Sequence, residues 1–197
     1  MERISRRFSG WGASFADFDN DGWKDIYSAN GHVDDVGMNT AQRDTIFRNT
    51  GGRTFVDVSL AMGKDFIRTG YQRGAAVGDL NNDGFPDLVV SSLGQRPRIL
   101  INSGVPGNHW ITIALTGVRS NRDAIGATVK VTTRSGRALY NHVSPSVGFL
   151  SSSDKRLIFG LGGEAAVREI RIVWPSGRTT VRKNPAVDRI LQITEPD

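Results

Sequence analysis

The chain repeats itself. Gly12-Ala-Ser-Phe-Ala-Asp-Phe-Asp-Asn-Asp-Gly-Trp-Lys-Asp lies over Gly74-Ala-Ala-Val-Gly-Asp-Leu-Asn-Asn-Asp-Gly-Phe-Pro-Asp at a constant offset of 62 residues. Each copy is followed by an apolar run, Ile26-Tyr27 or Leu88-Val89-Val90. A second run then closes on Asn, as Thr45-Ile-Phe-Arg-Asn or Arg98-Ile-Leu-Ile-Asn. Units made of a few short strands and Gly turns bury their sheet faces only against neighbouring sheets, which is how propeller blades look in sequence. The repeat predicts an all-β chain that opens with two blade-type units, about residues 8–60 and 70–106, a partial propeller within residues 1–106. A strand at Thr54 to Val58 would complete four in the first unit, and a polar excursion, Gly31 to Gln42, precedes its third.

Within each copy the aspartates fall at fixed positions. Asp17, Asp19, Asp21 and Asp25 stand at positions 1, 3, 5 and 9 of the first loop, and the backbone carbonyl of Trp23 at position 7 offers a fifth oxygen. The second loop offers Asp79, Asn81, Asp83 and Asp87 with the carbonyl of Phe85. An all-oxygen set suits a hard cation. Ca²⁺ accepts six to eight oxygens at about 2.3–2.6 Å in flexible geometry, whereas Mg²⁺ demands a strict octahedron, so Ca²⁺ is the expected ion. Gly22 supplies the positive φ that folds the ligands back. Neither loop is an EF-hand, because position 12 is Ser28 or Val90 rather than a bidentate Glu. The formal ligand charge is −4 in the first loop and −3 in the second, which predicts weaker binding at the second. The competing explanation is a plain turn, in which Asp side chains cap local N–H groups with no metal. Two copies with every ligand position filled by Asp or Asn favour the ion.

From Gly107 the pattern turns to alternating runs without aspartate loops: Trp110 to Leu115, Ala127 to Thr133, Arg156 to Phe159, Glu169 to Trp174 and Arg189 to Ile193. Turn signals at Ser135-Gly136 and Pro175-Ser176-Gly177 separate them. This reads as a small antiparallel β-sandwich or barrel over residues 107–197, with a boundary near Val105 to Asn108. Charge divides at the same place. Residues 1–95 carry a net −3 and residues 96–197 a net +8. The Arg residues are scattered at strand-like intervals without a nucleic-acid motif, so a solvated surface is expected ahead of a polyanion site, and nucleic acid is not expected as a partner.

Other signals carry less. The apolar runs are far short of the roughly 20 residues that cross a bilayer as a helix. There is no cysteine, and MERISRRFSG is not followed by a secretory core. Gly160-Leu-Gly162-Gly-Glu-Ala165 matches a loose dinucleotide fingerprint, but the strand expected from Val167 leaves no room for the helix that motif serves. His32, His109 and His142 sit in no catalytic pattern, and no catalytic or cofactor-binding residue is assigned. His32, ahead of Val33-Asp34-Asp35, is read as a turn or packing residue in preference to a site on the blade face. Trp11, Trp23, Trp110 and Trp174 are read as core or interblade residues.

The two loops with their preceding Gly-rich strands resemble FG-GAP, or VCBS, repeats, as in integrin α-subunit propellers, where such loops hold Ca²⁺. Asn108-His109-Trp110, Ser120-Asn121-Arg122-Asp123-Ala124-Ile125-Gly126-Ala127, Phe159-Gly160-Leu161-Gly162 and Trp174-Pro175-Ser176-Gly177 resemble the ASPIC/UnbV domain. The resemblance implies about seven blades ahead of that domain, so the remaining blades are expected to be missing from this chain. It also implies a calcium-binding extracellular or periplasmic interaction or adhesion module that is not an enzyme, with a protein or glycan partner unidentified. The alternatives are a non-catalytic component of a biosynthetic enzyme system and a carbohydrate- or polyanion-binding protein using the Arg-rich second half.

Overall fold

A computed structural model describes residues 7–33, 40–144 and 146–197. Asp34 and Asp35 of the polar excursion lie outside the described residues. The chain is all-β. Sheet one contains β1 (Gly10–Ala16), β2 (Asp25–Asn30), β3 (Thr45–Asn49) and β4 (Phe55–Asp57) in sequence order, all antiparallel. Sheet two is β5 (Gln72–Gly78), β6 (Asp87–Ser92) and β7 (Arg98–Leu100). The repeat seen in the sequence extends to the irregularities: β1 slips register between Gly10 and Ala13, and β5 does so between Gln72 and Ala75.

Sheets one and two stack in a propeller-like pair. Tyr27 and Ala29 on β2 and Ile46 on β3 pack against Ala75 on β5, Leu88 and Val90 on β6, and Phe66. Side chains the size of Ile46, Phe66, Leu88 and Val90, fully buried, each contribute about 1.5–3 kcal/mol relative to exposure. The inner strands touch through Gly12, where a Cβ would meet Ala75 N and Arg73 O at 2.8 Å, closer than side-chain atoms approach. One polar lock crosses this core. The Tyr27 hydroxyl donates to Asp44 Oδ2 at 2.7 Å, the Asn30 N–H donates to Asp44 Oδ1 at 3.0 Å, and Arg98 pairs with the same carboxylate.

The second half is a sandwich. One layer is β10 (Ala138–His142), β9 (Thr128–Thr133), β12 (Val167–Val173) and β13 (Thr179–Lys183), in that spatial order; the other is β11 (Leu157–Gly162), β8 (His109–Thr116) and β14 (Arg189–Thr194). Val129, Val131, Ile170 and Ile172 of the first layer meet Ile111, Ile113, Phe159 and Ile193 of the second, with Trp174 at 1% exposure beside them. Its indole N–H donates to Thr180 Oγ1 at 2.8 Å, which satisfies the polar end of a ring buried for its area. Every pairing is antiparallel except β14 with β8, which is parallel. Glu195 closes the far end of the sandwich, its carboxylate accepting from the N–H groups of Val118, Arg119 and Ser120 at 2.7–2.9 Å and from the Ser120 and Ser176 hydroxyls. Burial works against its charge, but these bonds outweigh it and hold its carboxyl down to about 2. Among the described residues, no helix is long and apolar enough to cross a membrane.

Candidate metal centre

Both aspartate loops are held by the same set of backbone hydrogen bonds. In the first, Asp17 accepts from Asp21 N at 3.0 Å and Gly22 N at 2.7 Å; in the second, Asp79 accepts from Asp83 N at 3.1 Å and Gly84 N at 2.9 Å. Position 5 takes the next N–H in each, Trp23 N to Asp21 Oδ1 at 2.8 Å and Phe85 N to Asp83 Oδ1 at 2.9 Å. The left-handed residues also coincide: Asn20 at φ 55 with Asn82 at 61, and Gly22 with Gly84, both at 89. Asn tolerates that region better than other L residues, and Gly pays no Cβ penalty there.

Asp25 and Asp87 stand apart from the rest of each set. Asp25 accepts Phe18 N at 3.1 Å and Asn49 N at 2.8 Å; Asp87 accepts Leu80 N and Asn102 N, both at 2.8 Å. Each therefore ties its loop to the end of the third strand, with both oxygens engaged.

The ligand groups differ where the backbones agree. Carboxylate oxygens of Asp17, Asp19 and Asp21 all lie within 4.8 Å of one another. Two oxygens bound to one Ca²⁺ at about 2.3–2.6 Å can be no farther apart than roughly 5 Å, a condition that every pair of the three meets. Asp19 Oδ2 is buried without a hydrogen bond. Arg48 Nε is an ion-pair neighbour at 2.7 Å but lacks hydrogen-bond alignment with that oxygen. The donor set, with an Asp19 oxygen held by an ion pair and no hydrogen bond, fits a hard cation. In the second loop Asn81 stands where Asp19 does, and its amide N–H donates to Asp83 Oδ2 at 2.7 Å, so part of the site is satisfied internally.

Electrostatics separate the loops in the same direction. Burial pushes the Asp17 carboxyl up to about 8; the Gly22 N–H pulls against this, and the charges of Asp21, Asp19 and Asp25 add to it. Burial likewise raises Asp25 to about 6, against the Asn49 and Phe18 N–H groups, and raises Asp21. In the second loop Asp79 is raised by burial, with Gly84 N–H, Asp83 N–H and the Arg156 charge opposing. Arg48 and Arg137 oppose the rise at Asp21 as Arg156 does at Asp79, and a buried cluster of like charges is further stabilised by a bound cation.

The second half of the chain clasps both loops. Arg137 Nη1 donates to Asp21 O at 2.8 Å while its guanidinium lies 5.0 Å from the Trp23 ring centre, and Gly162 N donates to Asn20 O at 2.7 Å. A Cβ at Gly160 would collide with Asp17 and with the Asn20 backbone. Gly160 of the loose dinucleotide fingerprint thus lets β11 lie against the first loop. Arg156 donates to Asp79 O and to Asn82 Oδ1, both at 2.6 Å, and a Cβ at Gly84 would enter the Trp110 ring. The loops are also joined to each other and to the linker. Asn20 Nδ2 donates to Gly84 O at 3.0 Å, Asn102 Nδ2 to Phe18 O at 2.7 Å and Asn108 Nδ2 to Asp19 O at 2.7 Å.

Sequence reasoning assigned no role to Arg48, Arg137 or Arg156. The one available signal for Asn20 was its recurrence as Asn82, at a position that needs positive φ. Of the histidines, His32 gives its carbonyl to Arg73 Nη2 at 2.8 Å, and His109 Nδ1 pairs with Asp188 Oδ2 at 2.7 Å.

Comparison with known proteins finds a match in each half of the chain. Residues 29–90 match the FG-GAP-like repeat model, and residues 117–197 match the ASPIC and UnbV model. The chain thus resembles an FG-GAP-like repeat region in its first half and an ASPIC/UnbV domain in its second. The first match takes in the second aspartate loop; the first loop lies ahead of it and is tied to it by the 62-residue repeat. Among curated proteins, the chain is similar to cartilage acidic protein 1 of Mus musculus, 25% identical over 186 residues, and to that of Homo sapiens, 26% identical over 186 residues. Both alignments cover 92% of this chain but only 28% and 27% of those proteins, so the chain spans just over a quarter of the length of these relatives.

Proposed function

We propose that the chain is a calcium-binding, non-enzymatic interaction module of an extracellular or periplasmic protein, in which loop ions stiffen the seam between the blade-like sheets and the C-terminal sandwich. The observation that carries this reading is the first loop: three carboxylates within reach of one ion, one of them with a buried oxygen that no hydrogen bond satisfies. Asp17, Asp19 and Asp21 are the primary ligands. Asp25 and the Trp23 carbonyl complete the set, since a carboxylate oxygen that accepts one N–H keeps a second lone pair. Asp79, Asn81, Asp83, Asp87 and the Phe85 carbonyl form the weaker second site.

The division into residues 1–106 and 107–197 belongs to the same proposal. So does adhesion: the FG-GAP-like and ASPIC/UnbV matches and the similarity to cartilage acidic protein 1 support an extracellular interaction role, and they name no partner. Calorimetric titration of the chain with Ca²⁺ tests the reading, with Asp19→Ala and Asp83→Ala alongside. The expected result is heat and a thermal shift for the parent, with Asp19→Ala losing the tighter phase. A titration without heat or thermal shift leaves only metal-free Asx turns.

A further inference from the structure

The outward face of the β10-β9-β12-β13 sheet carries a group of cations. Lys130 stands opposite Arg171 across the β9–β12 pair and opposite Tyr140 across the β9–β10 pair. Its ammonium lies 5.5 Å from the centre of the Tyr140 ring, and that residue is 65% exposed. Lys24 enters from the end of the first aspartate loop and donates to Asn141 Oδ1 at 3.0 Å. With His142, these side chains line a concavity of about 420 Å³ in which, among the described residues, no carboxylate takes part. Glu169, two residues along β12, lies 3.5 Å from Arg171 but is shared with Lys183.

Like charges directly opposite in an antiparallel pair, with Cβ atoms roughly 4.5–5.5 Å apart, destabilise the sheet. Lys130 and Arg171 form such a pair, and Lys24 adds a third cation to the same hollow. An anion held between them would offset that repulsion, and the exposed Tyr140 ring offers a flat apolar surface beside it.

We propose that this hollow binds an acidic saccharide, with Lys24, Lys130 and Arg171 holding its carboxylate or sulfate group and Tyr140 lying against the sugar ring. The volume lies in the range of roughly 300–1,000 Å³ usual for small-ligand sites. Three cations gathered in one hollow suit a localised anionic group, whereas a nucleic acid is tracked by a stripe of them. The inference does not depend on the metal centre.

The test is calorimetry on the full chain at physiological salt, with and without chelator. The probes are a sulfated heparin disaccharide, a carboxylated hyaluronan fragment, a neutral chitin fragment and a short single-stranded oligonucleotide. At least one acidic saccharide binds and the neutral one does not; the tighter of the two acidic probes identifies the acid group. The double substitution Lys130→Gln with Arg171→Gln weakens that binding at least roughly tenfold, the scale of a lost charge-assisted hydrogen bond. A control with the same charge change on other exposed residues, Arg53→Gln with Arg96→Gln, stays within about twofold, because screened charges at a distance contribute little. Tyr140→Ala also weakens the saccharide. Thermal unfolding of the Lys130/Arg171 double variant is unchanged or raised, so lost binding is not lost folding. The proposal is overturned if neither acidic saccharide binds, if the control loses as much as the hollow variant, or if the oligonucleotide binds more tightly than both.

Discussion

The two aspartate loops share a backbone and differ in charge. Every main-chain feature compared has a counterpart 62 residues on, from the N–H groups collected by Asp17 and Asp79 to the matching φ of Gly22 and Gly84. Asp side chains bonded to local N–H groups shape the turn in both copies. What sets the first loop apart is Asp19 in place of Asn81, which leaves an oxygen buried without a hydrogen bond instead of an amide that pairs internally. The turn and the proposed ion site are separable: the backbone is alike in both copies, and the ligand at position 3 differs.

Packing gives the largest test of how alike the loops are. Gly22 and Gly84 share φ 89, but a Cβ at Gly22 would meet only the far end of the Arg137 side chain, whereas at Gly84 it would enter the Trp110 ring. Left-handed backbone costs an L residue about 1–2 kcal/mol, and overpacking adds about 1–3 kcal/mol. Urea unfolding is therefore expected to show Gly84→Ala destabilised by about 3–4 kcal/mol and Gly22→Ala by about 1–2 kcal/mol. Equal losses would mean that the sandwich holds the two loops alike.

An exchange of ligands sharpens the charge difference. Asp19→Asn should lower the Ca²⁺ affinity of the first loop roughly tenfold, and Asn81→Asp should raise that of the second by a similar factor, since ligand charge tunes such sites. Calorimetry of the double exchange should find the ranking reversed.

Acid separates the loop carboxylates from Glu195. The folded-state carboxyl of Glu195 is depressed to about 2 from an ordinary 4.5, so its stabilisation is complete above 4.5 and is lost as pH falls towards 2. Asp17 is raised to about 8 from 3.8, so in metal-free protein its contribution has the opposite sign, present below 3.8 and lost as pH rises through 8. The urea midpoint followed down from pH 4.5 should fall in the parent and stay flatter in Glu195→Gln. The smallest effect is expected at Arg48, whose side chain is half exposed. Arg48→Ala should change stability by less than about 1 kcal/mol and strengthen Ca²⁺ binding a few-fold at low salt, because it removes a competing cation.

The repeat, the loops and the sandwich were legible because each leaves a side-chain pattern. Strands β10 and β13 were not. Ala138-Leu-Tyr-Asn-His turns one face wholly to solvent, Thr179-Thr-Val-Arg-Lys buries only Thr180, and neither carries enough large apolar residues to mark a period of two. The parallel pairing of β14 has no local signature, since it depends on where the chain returns. The clasp on the loops was hidden for a different reason. Arg137, Arg156 and Gly162 bind main-chain atoms of Asp21, Asp79 and Asn20, and a backbone carbonyl is present at every position whatever the residue. Gly160 and Gly84 were visible as glycines, but the neighbours for which they make room were not.

The most direct test of the central claim, that the first loop is the stronger cation site, is a Ca²⁺ titration of isotope-labelled protein. It would follow the Gly22 and Gly84 amides, the N–H groups bonded to Asp17 and Asp79. The account predicts that both signals move and that Gly22 saturates at lower Ca²⁺ than Gly84. If neither moves, or if Gly84 saturates first, the account is contradicted.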